Sequence, residues 1–245
     1  AICDFPIEWV SVDGFPLMFT HEISRISPTP GNLLGVTALK AERIIIPYEK
    51  VQKILIIRSF DSTDPIKYHL SKAIDIYKKT DGFDNINVEI VDVSSEIELV
   101  DALNSHDGLI TIFDCHGAHG GEKGSAWLQI GKEKLDTWSI ANKCNISPVV
   151  ILSACSTHPI DGSHASVVNG FLRCGVLSVL GTYAPVNAGH AAQFVTRLLY
   201  RISIFVPMFI EHGPISWREI LTGLLRASYV TDVLMGMLKN LKVID

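Results

Sequence analysis

The sequence predicts an α/β fold: a mainly parallel sheet with helices on both faces, preceded by a short β-rich flank. Three observations predict it. From about residue 51 onward, short apolar runs alternate with segments of helical spacing. That alternation is the mark of parallel strands joined by helical crossovers. The apolar runs are continuous, as in Lys53-Ile54-Leu55-Ile56-Ile57-Arg58 and Val149-Val150-Ile151-Leu152, which suits strands covered on both faces. The first fifty residues lack this rhythm, because Pro6, Pro16, Pro28, Pro30 and Pro47 interrupt short apolar segments such as Leu17-Met18-Phe19. They read as short strands and loops, with a brief helical turn at 39–42.

The elements follow in order. Lys53–Arg58 is the first buried strand. Ile66, Leu70, Ile74 and Tyr77 predict a helix over 65–79. Val88-Glu89-Ile90-Val91 is the next strand. Ser95 with Glu98 has capping-box form and starts a helix that runs to about Asn104. Leu109–Phe113 is a strand, 135–143 a helix, and 149–152 a strand again. A helix from about Ala165 to Arg173 leads to the strand Val176–Leu180. Helices near 188–202 and 215–228 follow, with helical spacing continuing to about Leu241. Trp127 and the segment holding Gln129 form a small β excursion. The flank is placed at 1–50 and one domain at 51–245.

Composition narrows the class. At 245 residues, 47% hydrophobic and 19% charged, the chain can bury a sizeable core. A net charge of −5, with neither a basic patch nor an acidic tail, argues against nucleic acid as a partner. No run approaches the roughly 20 consecutive apolar residues of a membrane span. Five cysteines, at 3, 115, 144, 155 and 174, are odd in number and form no C-x-x-C. That points away from a disulfide scaffold and toward the reducing cytoplasm. The start, Ala1-Ile2-Cys3-Asp4-Phe5, is not a signal peptide and has no Met, so the sequence reads as a domain of a longer protein.

Chemistry in parallel sheets collects beyond the carboxyl ends of strands. Two strand ends stand out. Leu109–Phe113 runs into Asp114-Cys115-His116-Gly117-Ala118-His119-Gly120-Gly121, and 149–152 runs into Ser153-Ala154-Cys155-Ser156-Thr157-His158-Pro159. If these strands are neighbours, His116 and Cys155 meet at one edge. A thiolate is a working nucleophile, and a nearby imidazole can take and return its proton. Gly117 permits close backbone approach, so its N–H and that of Cys155 can face a developing oxyanion. Cys115, alternating against His116, points into the opposite layer.

The ordered set His116-Gly117, Ser153-Ala154-Cys155, Gly170 with Cys174-Gly175-Val176, and Gly181-Thr182-Tyr183-Ala184-Pro185-Val186-Asn187 resembles the CHAT peptidase family of the caspase–separase–gingipain clan. The likeness covers about 44–238 and implies a caspase-like sheet. It also implies peptide-bond hydrolysis by a Cys–His dyad through a thioester, without cofactor or metal. Mapped onto this chain, His116 is the general base and acid, Cys155 the nucleophile, and Gly117 and Cys155 the oxyanion donors. Asp114, Ser153, His158 and Asp161 fall where substrate is bound. Two departures are visible. The family's aromatic-x-V-x-D segment has Ala184 and Asn187 here. Basic-specific members of the clan carry an acid two residues before the nucleophile, where this chain has Ser153. A neutral or apolar P1 side chain is therefore expected, with Asp114 the one residue able to restore an acidic wall. The resemblance further implies a protein substrate and a regulatory or sensor module in the same chain or complex. Anti-phage defence or cell death would be the setting.

Other readings compete. Cys115, His116, His119, Cys155 and His158 form a Cys/His set of the kind zinc prefers, and a zinc- or nucleotide-binding α/β domain is an alternative. No G-x-G-x-x-G follows the first strand, which weakens the nucleotide version. A catalytically silent interaction module with the same fold is the other. Cys144 and Cys174 read as core, Cys3 as flank, His190 and Trp217 as structural. Asp161, Ser163 and His164 lie in the loop after the nucleophile, which the clan uses for substrate binding and activation.

Overall fold

The continuous apolar runs assemble into one parallel sheet. The computed structural model describes residues 5–25, 45–122, 124–159 and 164–240. These fall into two compact units, one holding 45–204 and the other 5–25 with 205–240, a division unlike the 50/51 boundary read from composition.

In the larger unit the strands are β1 (Lys53–Ser59), β2 (Asn87–Asp92), β3 (Ile110–Cys115), β4 (Gly117–His119), β5 (Ala126–Ile130), β6 (Glu133–Leu135), β7 (Val149–Ser153) and β8 (Ser178–Leu180). The main sheet has the order β8-β7-β3-β1-β2 with every pairing parallel. The excursion around Trp127 is a separate antiparallel sheet, β4-β5-β6. Besides a single turn at Tyr48–Val51, the helices are α1 (His69–Tyr77), α2 (Glu96–Ser105), α3 (Val167–Arg173) and α4 (Ala188–Tyr200). The fold is therefore α/β with helices on both faces of a mainly parallel sheet.

Strand alternation sorts the core. Leu55, Ile57, Phe113, Cys115, Val150 and Leu152 face one layer with Leu99 and Leu103 of α2 and Val167 and Phe171 of α3. The alternate residues Ile54, Ile56, Ile110, Ile112 and Ile151 are equally buried, on the side that α1 and α4 cover with Leu70, Ile74, Ala192 and Val195. A buried aliphatic side chain is worth about 1.5–3 kcal/mol, so each layer contributes substantially to stability.

Local chemistry sets the element ends, and it corrects several expectations. Ser95 caps α2, accepting the Glu98 N–H at 3.3 Å, while Glu98 reaches back to the Ser94 N–H at 2.7 Å. The helix expected over 65–79 starts only at His69, because Asp61 and Asp64 bend the preceding segment into turns. The helix expected over 135–143 is a short 3₁₀ turn, Thr137–Ile140. Asp136 caps it through the Trp138 N–H at 3.0 Å, and Asn142, with φ of 68°, turns the chain away. Cys144 and Cys174 are half-buried against the core. The turn expected at 39–42 lies outside the described residues.

In the smaller unit, Ser11–Val12 and Phe15–Pro16 pair antiparallel about Asp13 and Gly14, both at positive φ, a hairpin of the primed-turn type. Leu17–Thr20, in the region expected as short strands and loops, is a helical turn. It is held by the helix Trp217–Asn240: Arg226 donates to the Thr20 carbonyl at 2.8 Å, and Tyr229 stacks on Phe19. Ala188–Ile210 is, by length and composition alone, the one helix among the described residues able to cross a membrane. Arg197 and Arg201 interrupt it, which is why no such run is read from the sequence. Its α4 portion buries Ala192, Val195, Leu198 and Leu199, as a core helix does.

Candidate active site

Neighbouring strands bring the two loops together. Arg58 of β1 is in register with Asp114 of β3, and Asp114 with Ser153 of β7. Residues in register on parallel strands share a face and end at the same edge. His116 lies two residues beyond Asp114, and Cys155 two beyond Ser153. Both line one cleft together with Asp114, Ser153, Phe60 and Val186. Its remaining walls are mainly apolar, from Ile66 and Leu70 on one side and Ala188, Ala191 and Ala192 on the other.

Gly117 is where the loops touch. A Cβ there would stand 2.9 Å from the Cys155 carbonyl oxygen and 3.2 Å from the Ala154 Cβ, closer than a side chain tolerates. Gly117 faces Leu128 across the β4–β5 hairpin, and the Gln129 N–H donates to the His116 carbonyl at 2.8 Å. This makes 117/128 a non-hydrogen-bonded pair, so the Gly117 N–H points out of the ladder. Among the described residues neither this N–H nor that of Cys155 has a backbone acceptor outside the strand ladders.

The Cys155 thiol is half-buried. The Val186 N–H donates toward Sγ at 3.5 Å, and the Val186 carbonyl lies 3.8 Å from it. The loop carrying it is clamped by the segment 182–186. The Ser156 and His158 N–H groups donate to the Ala184 and Thr182 carbonyls at 3.5 and 2.9 Å. The Thr182 hydroxyl donates to the Ala154 carbonyl, and the Thr182 N–H reaches Thr157 Oγ1 at 2.7 Å. These bonds hold Ser156 at a φ of 49°, a conformation L-residues seldom adopt.

The His116 ring stands edge-on to Phe60, with centroids 5.2 Å apart, and its Nε2 lies 2.7 Å from Asp64 Oδ2. Asp64 sits in the loop after β1. Burial works against its charge, but the Ile66 N–H at 3.0 Å and His116 outweigh that and hold the carboxyl below its ordinary range. Among the described residues no hydrogen bond joins His116 to Cys155. Sequence reasoning missed Asp64. The usable signal was its place just past the carboxyl end of a buried strand, the edge where His116 and Cys155 were expected.

Asp114 is 7% exposed, and the Ser153 hydroxyl donates to its Oδ1 at 3.1 Å. Burial pushes the carboxyl up to about 7, against the opposing pull of Ser153, Arg58 and His116. Arg58 is itself held by a two-point pair with Asp92 at 2.8 and 2.7 Å.

Other expected site residues are placed elsewhere. His158 does not line the cleft, and its Nδ1 lies 3.0 Å from Ser166 Oγ. Asp161 and Ser163 lie outside the described residues, as does Cys3. His119 Nδ1 accepts the Gly121 N–H at 3.0 Å. Cys115 faces the opposite layer, where burial raises its thiol far above the ordinary range. Among the described residues no three His, Cys, Asp or Glu side chains are grouped to hold a metal ion, so the Cys/His set read from the sequence is not gathered into one ligand shell. No protein-family model matches the chain, and no curated protein matches it.

Proposed function

We propose that this chain is a cysteine endopeptidase of the CHAT type, acting through Cys155 and His116. The observation that carries the reading is that both residues leave adjacent parallel strands at one edge and line one cleft. In the proposed reaction His116 takes the Cys155 thiol proton, and Sγ attacks the scissile carbonyl carbon. The Gly117 and Cys155 N–H groups face the resulting oxyanion, as preorganised donors do in acyl transfer. Collapse breaks the C–N bond, His116 returns the proton to the leaving amine, and a thioester remains. Water, deprotonated by His116, then releases the acid and restores the thiol.

The substrate is a specific protein partner cut after a neutral or apolar residue. Two features support that preference. Position 153 is a serine, and burial pushes the Asp114 carboxyl up to about 7, so near neutral pH it is not the fully ionised acid that would anchor a basic P1 side chain. Asp114 and Ser153 bound the P1 side chain. We place the activity in the cytoplasm, under a regulatory or sensor module of the same chain or complex, in a defence or cell-death system. The cytoplasm is inferred from the odd, unspaced cysteines, and the regulatory and defence setting from the family likeness alone.

One observation favours a catalytically silent module of the same fold: no hydrogen bond joins the imidazole and thiol among the described residues. Catalytic hydrogen bonds often tighten only with substrate bound, so the test is enzymatic. A peptide-library cleavage profile of the wild type should show a preferred P1 residue, and Cys155→Ala should abolish it. A cleavage pattern unchanged in Cys155→Ala removes the peptidase reading.

A further inference from the structure

We infer that Asp64 is a positioning residue for His116, fixing the ring and the nitrogen that carries its proton, so that the pair is a three-member relay. The catalytic consequence rests on the peptidase reading above; the assignment of the proton does not.

The loop after β1 is built to present this carboxylate. Asp61 Oδ1 accepts the Thr63 N–H at 3.0 Å and the Thr63 hydroxyl at 2.9 Å. The Asp64 N–H donates to the Asp61 carbonyl at 3.1 Å. Asp64 Oδ1 accepts the Ile66 N–H at 3.0 Å, and the Lys67 N–H closes the next turn on the Asp64 carbonyl at 3.2 Å. Two consecutive aspartate turns therefore lock the backbone, and one carboxylate oxygen is tied to its own loop. The other, Oδ2, is aimed at His116 Nε2 at 2.7 Å, with the Asp64 side chain only 16% exposed. Phe60 of the same loop holds the ring edge-on. A surface ion pair of long, mobile side chains contributes little. A short aspartate pinned at both ends differs, because it dictates geometry.

The chemistry follows from donor counting. An ionised carboxylate only accepts, so the proton in this contact belongs to Nε2. In the neutral ring Nδ1 is then the lone-pair nitrogen, and it alone is left to take a thiol proton. When the ring takes up a second proton, on Nδ1, Asp64 Oδ2 still accepts from Nε2–H. The three members come from the ends of β1, β3 and β7, three strands side by side.

The test uses the complete chain with Asp64→Asn, Asp64→Glu and Asp64→Ala, each checked for folding by its thermal melt. Nitrogen NMR of the labelled His116 ring reads the tautomer directly. Iodoacetamide alkylation of Cys155, taken as the difference from Cys155→Ala, reads nucleophile activation across pH without a peptide substrate. In the wild type the neutral ring should carry its proton on Nε2. In Asp64→Asn the amide can donate, so that preference should weaken or invert and the alkylation profile should change shape. With a cleavable peptide, Asp64→Asn should lower kcat by about 10²–10⁴-fold while KM moves little. Asp64→Glu should recover part of the rate. A folded Asp64→Asn with the wild-type tautomer and the wild-type alkylation profile overturns the inference. If the tautomer responds as stated but the wild type cleaves no peptide, the peptidase reading fails and the positioning of His116 stands.

Discussion

Replacing Asp114 by Asn should stabilise the fold, and increasingly so as pH rises. The carboxyl is 7% exposed and is lifted by burial from an ordinary 3.8 to about 7. Between those two values the folded chain holds a proton that the unfolded chain has released. Stability therefore falls as pH climbs through this window, and the full cost is present above about pH 7. A rise of about three pH units at 1.36 kcal/mol each gives a cost on the order of 4 kcal/mol for the ionised native state. Asn keeps an acceptor for the Ser153 hydroxyl and never ionises. The Asp114→Asn advantage should be small near pH 4 and approach roughly 2–4 kcal/mol by about pH 8. Urea unfolding of wild type and variant across that range measures it as the difference in extrapolated stability. A difference that does not change with pH, or a variant less stable than wild type at pH 8, refutes the argument that Asp114 is a buried acid held against its own charge.

Three further outcomes are expected. Gly117→Ala should force the His116 and Cys155 loops apart, since its Cβ would meet the Cys155 carbonyl at 2.9 Å. We expect about 1–3 kcal/mol of lost stability and at least a 100-fold loss of the proposed peptide cleavage, read by denaturant melts and steady-state rates. Thr182→Val removes the hydroxyl that bonds the Ala154 carbonyl and meets Thr157 Oγ1. It should cost about 1–2 kcal/mol and change the rate of Cys155 alkylation. Ser95→Ala deletes the cap of α2 and should cost about 1 kcal/mol in thermal unfolding, with no effect on alkylation.

The sheet was legible because its strands are doubly covered. Ile54–Ile57 and Val150–Leu152 are short, apolar without interruption and rich in β-branched residues, which suits a strand better than a helix. The carboxyl-edge placement of His116 and Cys155 followed from the same reading, since each lies just past such a strand. Gly117 was legible as a close approach, though not that the approach would be to the Cys155 carbonyl. Asp64 was not legible. Its partner lies 52 residues away, and no local spacing links a loop aspartate to a histidine on another strand. The segment 135–143 misled because helical spacing of apolar residues says nothing about Asp136 and Asn142, whose side chain and backbone geometry confine it to a single 3₁₀ turn. The lower bound of α1 failed for a similar reason: apolar periodicity begins at Ile66, while two aspartate turns delay the helix to His69.

The shared register of β1, β3 and β7 carries a consequence for change over time. Asp64, His116 and Cys155 all depart from one edge of the sheet, so the chain must return each time to the opposite edge before starting the next strand. The segment Ser105–Asp107 before β3 sits on that far edge. A graft there lengthens a crossover and leaves the register of the strands alone. A single residue added inside β3 or β7 would instead swing His116 or Cys155 to the other face. The far margin of this fold can therefore lengthen, by evolution or by design, without moving Asp64, His116 and Cys155 relative to one another.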